Sequence, residues 1–136
     1  MRFETKMAVA VRADLETWQK LNVVAFLGTG LGQATDEVIG KPYLDADGTE
    51  YLALSREPVM CLAGDAAVLA RTRARAVERG LRVAVYTRQM FETGWDEANR
   101  AAVAEVPADE LDLVGIGIYG PRKEVDKAAD RLKLHP

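Results

Sequence analysis

Five consecutive apolar residues, Met7-Ala8-Val9-Ala10-Val11, stand between Lys6 and Arg12. A short valine-bearing run bounded by charges predicts a strand buried on both faces. Three more such runs follow, at Val59 to Ala63, Leu81 to Tyr86 and Leu113 to Tyr119. The segments between them carry a longer period. From about Glu16 to Thr29 or beyond, Trp18, Leu21, Ala25 and Gly28 fall on one helix face, continued by Leu31-Gly32. Val23, Val24, Phe26 and Leu27 make this helix apolar nearly all round, so deep burial is expected, with Asp14 or Thr17 as N-cap. A second helix is predicted from about Ala66 to Arg79, begun at Gly64-Asp65 and stopped by Gly80. Met90-Phe91 and then Trp95 to Val106 read as helical, with Asp96 as cap and Pro107 as stop. Gly120-Pro121 opens a last helix through Leu132. Between the first helix and the second strand, Asp45-Ala46-Asp47-Gly48-Thr49-Glu50 predicts a hairpin. A type I′ turn at Asp47-Gly48 would set Leu44 opposite Tyr51 and Tyr43 opposite Leu52.

The alternation of strands and helices defines an α/β domain with helices on both faces of a largely parallel sheet. The chain has 136 residues and shows no linker, repeat or low-complexity stretch, so a single domain over 1–136 is expected.

Composition narrows the chemistry. There is one Cys (Cys61), one His (His135) and one Ser (Ser55). That scarcity argues against disulfide scaffolds, His/Cys metal clusters and nucleophilic triads, and no metal or cofactor is expected. Ser55 precedes Arg56 and lacks a Gly-x-Ser-x-Gly elbow. Cys61 lies in an apolar strand and reads as a small buried hydrophobe in a reducing, cytoplasmic setting. The net charge of −3 argues mildly against nucleic-acid binding by overall charge. No apolar run is long enough to span a membrane, and Met7 to Val11 is too short for an export signal.

Gly28-Thr29-Gly30-Leu31-Gly32 imitates a dinucleotide loop, but its sixth position is Gln33 and its period is helical, so tight helix packing is expected. Asp45-Ala46-Asp47-Gly48 imitates a calcium loop, but Tyr43 stands at its first ligand position, so a plain turn is expected. Arg71, Arg75 and Arg79 recur along the second helix, with Arg73, Arg82 and Arg88 nearby. They form the one local positive patch, read as a solvated helix face or as a docking site for phosphate or an acidic partner.

One placement favours a site. In open α/β sheets ligands bind beyond the carboxyl ends of parallel strands. Asp14, Thr17, Gln19, Lys20 and Asn22 follow the first strand, and Thr87, Arg88 and Gln89 follow the third. The expected catalytic residues are Lys20, as a positive charge or general base, and Thr87. Asp14, Gln19, Asn22, Arg88 and Asn99 are the expected ligand-binding residues.

Several blocks carry a resemblance. Lys6-Met7-Ala8-Val9-Ala10-Val11-Arg12-Ala13-Asp14-Leu15 resembles the opening of type II peptidyl-tRNA hydrolases. Leu113-Val114-Gly115-Ile116-Gly117-Ile118-Tyr119-Gly120-Pro121 resembles their end. Over essentially the whole chain, the sequence resembles the bacterial family called domain of unknown function two thousand. Trp18-Gln19-Lys20-Leu21-Asn22, Asp96-Glu97-Ala98-Asn99-Arg100 and Gly120-Pro121-Arg122-Lys123 are among its recurring pieces. The resemblance implies a three-layer αβα sandwich on a mixed four-stranded sheet plus a short hairpin, with an antiparallel last strand. Any activity it implies is hydrolase-like and without a Ser, His or Cys triad. Two departures stand out: Phe26-Leu27-Gly28-Thr29 occupies the place of a His-bearing segment, and the loop after the third strand lacks an aspartate. Two functions follow as expectations. One is a small-ligand or enzymatic cleft at the first and third strand ends. The other is a non-catalytic binding or homodimeric module, contacting RNA or an acidic partner through Arg71, Arg75 and Arg79.

Overall fold

The computed structural model describes residues 2–136. In chain order the elements are β1 (Thr5–Arg12), α1 (Thr17–Leu31), β2 (Tyr43–Leu44), β3 (Glu50–Tyr51), β4 (Val59–Gly64) and α2 (Ala66–Glu78). They continue with β5 (Arg82–Thr87), α3 (Asp96–Ala104), β6 (Leu113–Pro121), α4 (Arg122–Ala128) and β7 (Lys133–Leu134). The main sheet has five strands, not four, in the order β5-β6-β1-β4-β7. The addition is β7, held antiparallel to β4 with Leu62 opposite Leu134. β1 lies at the centre, parallel to β4 and antiparallel to β6. β5 runs antiparallel to β6 and therefore along β1, so the carboxyl ends of β1, β4 and β5 share one edge.

Side chains of β1 alternate between two cores, as the two-residue period requires. Met7, Val9 and Val11 pack with Val23, Leu27 and Leu31 of α1. Ala8 and Ala10 pack with Leu69 and Ala76 of α2 and Val125 and Ala128 of α4. The result is a mixed α/β domain in three layers. Fully burying a side chain such as Leu27 or Leu69 contributes about 1.5–3 kcal/mol.

Glycines of β6 decide how α1 sits. A Cβ on Gly115 would lie 2.2 Å from Val23 Cγ1, and one on Gly117 would lie 2.8 Å from Leu31 Cδ1. The helix therefore rests on the sheet along Val23, Leu27 and Leu31. The stripe read from the sequence turns outward instead: Trp18, Leu21, Ala25 and Gly28 are exposed. The glycine-rich segment ends this helix rather than opening one, so it presents no phosphate-binding N-terminus. Glu16 is the N-cap, in place of Asp14 or Thr17, and its N–H donates to Gln19 Oε1 at 3.0 Å.

Further expectations change. Only β1 and β4 pair in parallel, so the sheet is mostly antiparallel rather than largely parallel, and Trp95 rather than Asp96 is the N-cap of α3. The hairpin pairs Tyr43 with Tyr51 and Leu44 with Glu50, one residue from the expected register. Its loop spans three residues, with Gly48 at φ +84, rather than a two-residue type I′ turn. Cys61 is exposed, because no helix covers β4 on the side that Cys61 faces. The last helix stops at Ala128, and the chain then turns into β7.

Three of the arginines along α2 and its C-cap are tied to α4 and the turn after it. Arg71 pairs with Asp130, Arg79 with Glu124 at 2.7 Å, and Arg75 donates twice to the Lys127 carbonyl. Among the described residues, no helix is long and apolar enough to cross a membrane.

Candidate functional site

α1 is too narrow to cover its whole sheet face, and a cleft opens on its β5 flank. Trp18, Asn22 and Phe26 are spaced four residues apart, so they form one stripe on this flank. Tyr86 of β5 and Met90 and Phe91 of the following 3₁₀ turn stand opposite. Thr93, Trp95 and Asn99 close the far side, carried by α3 and the segment leading into it. The cavity measures about 490 Å³. That lies within the range of small-molecule sites.

Aromatic contacts hold the walls. Tyr86 meets Phe91 at 5.2 Å and Phe26 at 5.6 Å between ring centroids, and Trp18 meets Phe91 edge-on at 5.9 Å. Burial pushes the Tyr86 phenol pKa up, which keeps it neutral. The rim is open: Trp18 is 62% exposed and Trp95 is 63% exposed. Thr93 donates its hydroxyl proton towards the Asn99 side-chain oxygen, which leaves the Asn99 NH₂ group available. The Asn22 amide makes no protein hydrogen bond among the described residues. Asp96, also in the lining, pairs with Arg100 one helical turn on.

Asn22 and Asn99 thus come together in one cleft. Asp14 and Arg88 lie at the shared carboxyl edge in a charge network. Arg12 reaches Asp14 at 3.0 Å and Asp112 at 3.5 Å, and Arg88 Nε reaches Asp112 at 3.2 Å. The hydrogen bond from Arg12 is the main cause holding the Asp14 carboxyl below the usual aspartate value; it outweighs an opposing desolvation cost and is helped by the Arg12 positive charge. Gln19 is engaged at the helix start. Thr87 is 2% exposed, its hydroxyl has no partner among the described residues, and it does not line the cleft. Lys20 lies on the opposite flank of α1, with Nζ 3.1 Å from His135 Nε2, and the His135 N–H donates to the Cys61 carbonyl. Lys20 and Thr87 therefore do not meet Asn22 and Asn99 in one pocket. The aromatic walls are what reading the sequence missed. Their signal was Trp18-x-x-x-Asn22-x-x-x-Phe26, a helix stripe with an amide at its centre, which core packing alone does not require.

Fold and cleft together define a small three-layer α/β protein with an aromatic-walled pocket between a helix, a strand end and an added flap. The chain belongs to the family described as "Protein of unknown function (DUF2000)", whose model matches residues 5–136. It is similar to the solved structure of a protein of unknown function from Agrobacterium tumefaciens. The two are 41% identical with a TM-score of 0.95, covering 99% of this chain and 100% of the other. No curated protein matches the chain.

Proposed function

We propose that the protein binds a small, uncharged ligand with a flat conjugated ring in the cleft between Trp18 and Trp95, on a fold of the type II peptidyl-tRNA hydrolase kind. One observation carries this reading: both tryptophans of the chain stand exposed at the rim of one cleft lined by amides. A ring stacked on or against such a side chain gains about 0.5–1.5 kcal/mol beyond its buried area. Asn22 and Asn99 offer donors and acceptors that would read the polar edge of that ring. The only carboxylate in the lining, Asp96, is balanced by Arg100, which favours an uncharged ligand.

Binding fits better than hydrolysis. Phe26 stands where the resemblance places a His-bearing segment, and here it is cleft wall against Tyr86. Lys20, the base that catalysis would need, sits across α1 from the cleft. The fold reading is supported by β1 lying between a parallel and an antiparallel neighbour with helices on both faces, as the resemblance implies.

The test is a thermal-shift screen of neutral heteroaromatic compounds followed by tryptophan fluorescence. A ligand present at a hundred times its dissociation constant stabilises the fold by about 2.7 kcal/mol. The expected hit quenches or shifts tryptophan emission and loses affinity in Asn99→Ala and Trp95→Ala. Hits that leave the emission unchanged and bind both variants as tightly as the wild type would sink the proposal.

A further inference from the structure

On the other flank of α1 the sheet is bare. No helix covers β4 there, and Val24, Ile39, Leu54, Val59 and Cys61 line an apolar groove of about 630 Å³. From the rim of this groove the chain departs as the β2–β3 arm, and every residue from 41 to 52 is exposed. The arm is ordered by its own turn. The Asp45 carboxylate accepts from the Asp47 and Thr49 N–H groups, each at 2.9 Å, and from the Tyr51 hydroxyl at 2.8 Å. A lone two-stranded hairpin is marginal in water. This one nevertheless offers Tyr43, Leu44, Tyr51 and Leu52 to solvent, Leu52 at 88% exposure.

We propose that a second copy of this chain covers this face, the arm of each copy lying in the groove of the other. Charge selects that occupant. The arm tip carries Asp45, Asp47 and Glu50. Beside the groove, the His135 backbone N–H donates to the Cys61 carbonyl, Lys20 Nζ lies 3.1 Å from His135 Nε2 and Lys133 pairs with Ala63, and neither lysine forms an ion pair among the described residues. Lys133 and His135 lie on the Cys61 side of the sheet, because Leu134 between them packs with Met60 and Leu62 on the other. Arm and groove belong to one chain, so a twofold exchange covers both surfaces on both copies and closes the assembly. The ligand cleft lies across α1 and is left open.

Cys61 is the only cysteine and lies in the groove lining, so it reports coverage directly. The experiment combines sedimentation equilibrium of the full chain, at low and high salt, with the rate of Cys61 modification by a maleimide. The expected result is twice the 14.9 kDa monomer mass with slow modification. Leu52→Asp, at an exposed site that leaves the circular dichroism unchanged, should raise the dimer dissociation constant at least about tenfold and speed modification. Asp47→Lys should weaken the dimer less and reduce its salt dependence. A wild type that stays monomeric at every attainable concentration overturns the proposal. So does a Leu52→Asp protein with wild-type mass and modification rate, or a dimer in which Cys61 reacts as fast as in the monomer.

Discussion

α2 and α4 cover one face of the sheet and are clasped by Arg75 to the Lys127 carbonyl, by Arg79 just past α2 to Glu124, and by Arg71 to Asp130 just past α4, whereas α1 lies alone on the other. Under the pair, Leu69, Ala76, Val125 and Ala128 are wholly buried, and Arg71, Arg75 and Arg79 are spent internally. Beside the single helix, two strips stay open: the aromatic cleft towards β5 and the apolar groove over β4. The two-helix face is where stability is concentrated. The one-helix face is where side chains are left unsatisfied by the fold and available to something else.

The sharpest way to break this comparison is to truncate one large apolar side chain on each face. Leu69→Ala should cost about 2–5 kcal/mol in urea unfolding, since it leaves a cavity under two helices. Trp18→Ala removes a larger but mostly exposed side chain and should cost at most about 1 kcal/mol. Equal losses would mean that the open face is as structural as the closed one. Next in size is Gly115→Ala. The new methyl group would press into Val23, which has no room to yield, and an overpacking loss of about 1–3 kcal/mol is expected from the same measurement. An unchanged midpoint would show that α1 can shift on the sheet.

These sites also show what could be read in advance. The strands at Met7 to Val11 and Leu113 to Tyr119 and the helix opened by Asp65 follow from local pattern, capping and charge boundaries, and they appear as expected. The orientation of α1 does not follow from its own residues. An almost uniformly apolar helix has two acceptable buried stripes, and the choice is made by Gly115 and Gly117, nearly a hundred residues later. The same holds for β7, whose two residues have no period and form a strand only because β4 offers an edge. Cys61 looked buried because an apolar run says nothing about whether a helix lies over each face of its strand. Asn22 and Asn99 were reachable from position and chemistry; the ring system around them was not, because an aromatic residue reads as core until the helix orientation is known.

The smallest expected effect concerns pH and belongs to the closed face. Hydrogen bonds from Arg79 and Arg71, foremost among the causes, lower the pKa values of Glu124 and Asp130. A carboxylate whose folded pKa is depressed contributes stability that is fully present above its unfolded value. That stability is lost as pH falls through the folded value. Unfolding midpoints should therefore decline below about pH 4, and Glu124→Gln should flatten part of that decline while leaving Trp18→Ala behaviour unchanged. A Glu124→Gln profile identical to the wild type would remove this pair from the account.

β1 precedes every other strand in chain order and sits at the middle of the finished sheet. Its parallel neighbour is synthesised some fifty residues later, and its antiparallel neighbour more than a hundred residues later, with Val9 opposite Gly117. Closing loops of that length before any reward is gained slows folding, and contact order of this kind sets the rate more than stability does. An emerging chain that has not yet reached Leu113 carries the apolar run Met7 to Val11 with an open edge. Nascent β1 therefore keeps that edge unpaired until Leu113–Pro121 has been made, and its place at the centre of the sheet is filled only when β6 arrives.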